Sequence, residues 1–141
     1  MELLVDGYNL FKQVVGASLL SSTQMAHYIA LFSRYVQKKE LTALLVFDGG
    51  MQERPLYQEH GMVQVIYVGK NKTADDFIKD YLQQCAHKNM LLVSSDRELN
   101  RVADYYNVPS IDVLDFWYFV RQALAKKEQQ VPILTYLFLF Y

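Results

Sequence analysis

The chain has little with which to staple, break or charge itself. A single cysteine, Cys85, excludes an internal disulfide and suits a reducing compartment. It falls on the apolar face of a predicted helix beside Tyr81 and Leu82, where a buried structural thiol is expected rather than a nucleophile. With 3 prolines and 6 glycines the sequence does not belong to a low-complexity or linker-built protein. Its 14 Lys and Arg against 15 Asp and Glu leave a formal charge of -1, so no bulk basic surface points to nucleic acid. Any such contact must come from local patches or metal ions. His27, His60 and His87 are isolated and give no zinc-ligand spacing. No apolar run approaches the ~20 residues of a membrane helix. Asp6 interrupts the first apolar run, so neither a signal peptide nor a membrane partner is expected, and the expected location is cytoplasmic.

What is present is a globular composition, 52% hydrophobic and 21% charged, in 141 residues, enough for one domain with its own core. Apolar runs at 2–6, 42–47, 62–68, 90–93 and 109–111 read as strands. They alternate with segments of helical period at 8–15, 25–39, 74–85, 96–106 and 112–127. Ser21, Ser22 and Thr23 offer N-caps to the second helix. Residues 51–61, with Pro55 and mixed charges, read as a surface loop. The alternation predicts an α/β fold of three layers, a central mainly parallel sheet of about five strands flanked by helices. The domain is expected over residues 1–130, with 131–141 an apolar tail. That tail reads as a final packed element. A homo-oligomer contact is the sharper alternative, because so apolar a stretch is a liability if exposed.

Aspartates stand where the chain leaves a strand or enters a helix. Asp6 ends ELLVD, Asp48 ends TALLVFD, Asp96 ends MLLVSSD, Asp112 ends PSID, and Asp75 and Asp76 open TADDFIKDYL. Strand C-termini of a parallel sheet share one edge, where ligands bind. Carboxylates gathered there repel unless cations sit between them. Each also has a local alternative. Asp48 before Gly49 and Gly50 suits a turn, Asp96 and Asp112 suit N-caps, and Asp76 follows Thr73 at capping-box spacing. Taken singly, Asp48 and Asp112 are better explained by these local roles. Asp6 has no such explanation, and with Asp96 and the Asp75–Asp76 pair it brings acids from separate segments to one edge. Oxygen ligands of this kind select Mg²⁺ or Mn²⁺, which suits phosphodiester hydrolysis. Lys70, Lys72 and Arg97 lie beside the acids and are candidates for backbone phosphates, with Lys12 and Arg101 further out. Ser94 and Ser95 suit either a ligand contact or a strand-end turn. GKNKTADD lacks the spacing of a phosphate-binding loop.

VDGYN with Asp6 and Asn9, VFDGG with Asp48, KTADDFI with Asp75 and Asp76, and VSSDRELN with Asp96 resemble the NYN domains of the PIN-like nuclease superfamily, most of all the bacterial YacP-like NYN group. The resemblance implies a PIN-like fold and a metal-dependent endonuclease acting on RNA, with association with the ribosome as a further expectation. It implies Asp6, Asp75, Asp76 and Asp96 as metal ligands and Asn9 as the polar group orienting a ligand or the scissile phosphate. Many relatives carry another acid one helical turn after the position of Asp96. Here that residue is Asn100, which brings no charge, so a second metal would be held more weakly. Asn100 therefore motivates the alternative of a catalytically weak or inactive RNA-binding module. A small-molecule phosphohydrolase would commonly need a second Asp two residues after Asp6, where this chain has Tyr8.

Overall fold

The computed structural model describes the backbone of residues 1–16 and 19–133, and side chains as far as Ala125. The elements run β1 (Glu2–Asp6), α1 (Gly7–Val15), α2 (Ser22–Lys38), β2 (Thr42–Phe47), β3 (Leu56–His60), β4 (Val63–Tyr67), α3 (Ala74–Cys85), β5 (Met90–Val93), α4 (Arg97–Tyr105), β6 (Ser110–Ile111) and α5 (Val113–Ile133). One 6-stranded sheet takes the order β3-β4-β2-β1-β5-β6. All neighbours are parallel except β3, which runs antiparallel to β4.

The central strands are short and apolar throughout because both faces of the sheet are covered. Leu3, Val5, Leu45 and Val65 point to one side, where α1, α2 and α5 close a core around Phe11, Phe32, Phe116 and Trp117. Leu4, Leu44, Val46 and Ile66 point to the other, under Ile78 and Leu82 of α3 and Leu99 and Ala103 of α4. The amphipathic helices are punctuated as their sequences dictate. Ser21 and Gln24 form a reciprocal capping box at the start of α2, and Gly16 ends α1 in the left-handed region at φ 75°.

The expected parallel strands are present, and β3 is an addition to them. The segment expected to be a loop contains an antiparallel edge strand whose five residues are all exposed. Cys85 is half-buried against the second core, and the three histidines are exposed. Helix α5 passes the expected end at Lys127 and runs through residues 131–133 of the expected tail. Residues 134–141, and with them the expected oligomer contact, lie outside the described residues. Among the described residues no helix is long and apolar enough to cross a membrane.

Candidate active site

The chain builds β1, β2 and β4 outward on one side of β1, then crosses to place β5 and β6 on the other. The strand order therefore reverses between β1 and β5, and in such sheets the crevice at the strand C-termini of that switch point is the usual ligand site. Asp6 closes β1 on one side of that crevice, and the Ser94-Ser95-Asp96 turn follows β5 on the other.

Asp6 occupies the N-cap position of α1, yet its side chain makes no capping hydrogen bond. Its neighbour Gly7 lets the helix start close against β2: a Cβ there would lie 2.5 Å from the Phe47 ring. Asp6 is thereby held half-buried, and its carboxyl is pushed up to about 7. Burial is the largest cause, followed by the charge of Asp75, with Asp96 and Asp48 adding to it; the backbone N–H of Asn9 pulls the other way.

Asp96 is an N-cap as well as a member of the cluster. One of its oxygens, Oδ1, accepts from the backbone N–H of Glu98 at 2.8 Å and of Leu99 at 3.2 Å. The Asp96 N–H in turn donates to the buried hydroxyl of Ser94 at 3.0 Å, which assigns Ser94 a turn role. Asn100, one turn on, donates from Nδ2 to the Ser94 carbonyl at 3.1 Å. Its Oδ1 is buried without a hydrogen-bond partner. Asn9 braces the crevice from the β1 side, its Oδ1 accepting from the Ser95 N–H at 3.2 Å. The Ser95 hydroxyl donates to Asp112 and accepts from the Val113 N–H at 3.2 Å, so Ser95 also serves the turn. Asp112 caps α5 through Leu114 N–H at 3.0 Å, as expected, and the Ser95 hydroxyl holds its carboxyl below the usual range.

The third segment is the start of α3. Thr73 is the N-cap, its hydroxyl accepting from the Asp76 N–H at 3.1 Å. Asp75 lies in the first turn, half-buried, with its carboxyl pushed up by burial first and by Asp96 and Asp48 next; Lys79 opposes the shift. Asp48 is not a simple turn residue. It reaches across from the end of β2 to accept the Ala74 N–H at 2.7 Å, fastening α3 to the sheet edge. Asp76 is exposed and is not among the charges that raise Asp6 or Asp75. The cluster is thus Asp6, Asp75, Asp96 and Asp48. The sequence paired Asp76 with Asp75, whereas the structure puts Asp48 within charge reach instead.

Of the cations, Lys72 is paired with Asp80 at 2.6 Å and Lys79 with Glu98. Lys70 and Arg97 are exposed and are in no ion pair among the described residues.

Residues 3–134 match the YacP-like NYN domain. The chain belongs to that family. Its fold is accordingly that of a PIN-like nuclease. The crystal structure of Rae1 (YacP) from Bacillus subtilis superimposes with a TM-score of 0.73 at 20% identity, over 96% of this chain and 82% of that one. A tryptophan-to-leucine mutant of the same protein gives a TM-score of 0.75 at 21% identity, over 95% and 83%. At these identities the likeness is one of fold. A search of curated protein sequences gave no match.

In this NYN domain the donors suit a hard cation: the acids are all oxygen donors, their mutual repulsion is only partly offset by Lys79 and the Asn9 N–H, and Asn100 adds a buried acceptor with nothing to accept from. They lie within charge–charge reach rather than in ligating contact. Among the described residues, no group of three or more acidic, histidine or cysteine side chains is gathered tightly enough to hold an ion.

Proposed function

We propose that this protein is an endoribonuclease dependent on Mg²⁺ or Mn²⁺. The observation that carries the reading is Asp6, a carboxyl at the sheet's switch point raised to about 7 by burial and by three acids from other segments. A carboxyl so raised lowers the stability of the fold near neutral pH, and a cation beside it would reverse that cost. Asp6, Asp75 and Asp96 would hold the metal directly or through bridging water, which spans the gap left by their spacing, Asp96 through the oxygen that does not cap α4. When bound, the cation would polarise a water and a phosphodiester oxygen for hydrolysis. Asp48 and Asn9 position the other acids by fixing α3 and the β5–α4 turn, and the exposed Lys70 and Arg97 would meet the RNA backbone.

The test is cleavage of a structured RNA in Mn²⁺, repeated with Asp6→Asn and Asp96→Asn. Loss of cleavage in both is expected, and cleavage that persists in both would overturn the reading. Asn100, standing where an acid would hold a second metal, favours the rival of an RNA-binding module with little turnover. Binding without cleavage by the wild-type protein would establish that rival. Crystals soaked in Mn²⁺ give an independent check, since an anomalous peak should appear among Asp6, Asp75 and Asp96.

A further inference from the structure

Beside the acidic edge, α4 and β6 enclose a shallow cleft of about 390 Å³ lined by Arg97, Asn100, Arg101, Asp104 and Ser110. The four residues from α4 fall at i, i+3, i+4 and i+7, so they form one stripe along the helix, while Leu99 and Ala103 on the opposite side are buried in the core. Arg97 and Arg101 are one turn apart, with Cβ atoms ~6 Å from each other, close enough for both guanidiniums to converge on one anion. Both are exposed, and neither makes an ion pair or a side-chain hydrogen bond among the described residues. The acid nearest to them in the first turn, Glu98, is turned away toward α3 by its pair with Lys79. Asp104 is the one acid lining the cleft, at its far end.

This placement matters because the rest of the edge repels a polyanion. Lys72 and Lys79 are neutralised by their partners, and the net charge is -1. Approach of a phosphate chain therefore depends on the few cations that are not already engaged. We infer that the α4–β6 cleft is a phosphate subsite, in which Arg97 and Arg101 grip one backbone phosphate of a single-stranded RNA beside the carboxylate crevice. The inference rests on the reading of that crevice as an RNA site and gives it a direction. The strand leaves the acids along the Arg97–Arg101 stripe, and Asp104 marks where the grip ends. Guanidinium forks suit the task because they bind phosphate oxygens in pairs.

Binding without turnover tests it. A fluorescent, unstructured oligouridylate of about 12 nucleotides, a length typical of single-strand sites, is titrated in EDTA over a range of salt. Arg97→Ala and Arg101→Ala should each weaken binding roughly 3- to 10-fold and lower the salt slope by about 1. Arg101→Lys should restore the slope and only part of the affinity. Asp104→Asn should tighten binding by removing a repulsive charge. Weaker binding by Asp104→Asn would overturn the proposal, because it would mean that the cleft reads a base through that acid. Unchanged affinity and slope in both alanine variants would overturn the subsite while leaving cleavage at the crevice standing. Failure of the wild-type protein to bind in EDTA would overturn the subsite, and failure to bind in Ca²⁺ as well would overturn the RNA reading with it.

Discussion

Two helices, α3 and α4, leave the same sheet edge with aspartates at their starts, and they use them differently. In α4 the aspartate is itself the cap: one Asp96 oxygen is committed to two backbone N–H groups, leaving the other for a ligand. In α3 the capping is delegated to Thr73 and, from the neighbouring strand, to Asp48, so that the Asp75 carboxylate has no structural duty. Capping and metal binding need not compete at one residue, since a carboxylate has two oxygens and a fold can assign them separately. The contrast also separates positions where a substitution harms folding and chemistry together from positions where it harms chemistry alone.

The largest effect should come at Asp96. Asp96→Ala would remove the cap and the proposed ligand at once, so stability should fall by about 1–2 kcal/mol and cleavage by more than about 100-fold. Asp96→Asn keeps the cap and should lose cleavage with a stability change of only a few tenths of a kcal/mol. Denaturation curves and initial rates on both variants separate the two duties. Equal destabilisation by Asn and Ala would break the comparison.

Asp6 should show its effect in pH dependence. An acid whose pKa is raised on folding binds protons more tightly in the folded state, so its stabilising contribution is complete below the unfolded value of 3.8 and is lost as pH rises through about 7. Asp75 shifts in the same direction. Metal-free protein should therefore lose stability from roughly pH 4 to 7 and then level off. Asp6→Asn should flatten that slope and gain at most about 4 kcal/mol near pH 8. Mn²⁺ should raise the melting temperature of the wild-type protein near that pH and leave that of Asp6→Asn almost unmoved. A flat profile would show that Asp6 ionises freely, and a slope of the opposite sign that the fold stabilises its carboxylate.

The smallest effects belong to the start of α3. Thr73→Ala should cost about 1 kcal/mol without altering the rate per folded molecule. Asp76→Asn should lose only a few tenths of a kcal/mol of helix-dipole interaction and keep cleavage at limiting Mn²⁺. A large loss of activity there would return Asp76 to the ligand set.

The parallel strands and the amphipathic helices were legible because burial on both faces of a sheet, or on one face of a helix, writes itself into residue spacing. β3 was not: all five of its residues are exposed, Pro55 precedes it, and only pairing with β4 makes LYQEH a strand. Asp6 and Asp96 were legible as strand-end acids. The role of Asp48 was not, since its bond to Ala74 spans 26 residues and depends on β2 and α3 meeting at one edge. That Asp75 rather than Asp76 faces the other acids depends on how α3 is rotated against the sheet, which adjacent carboxylates in a first turn do not reveal. Asn9 was expected to orient a ligand or the scissile phosphate; the bond of its oxygen to the Ser95 N–H spans 86 residues and could not be read from the sequence.

The contact between Gly7 and Phe47 carries a consequence for genetics. A random screen for inactive variants should recover Gly7 substitutions alongside those of the acids, although glycine has no side chain with which to do chemistry. Even an added methyl would press into the Phe47 ring and lever α1 outward, carrying Asp6 away from Asp75 and Asp96. Such variants should lose cleavage, and a compensating smaller residue at Phe47 would be the natural place to look for revertants.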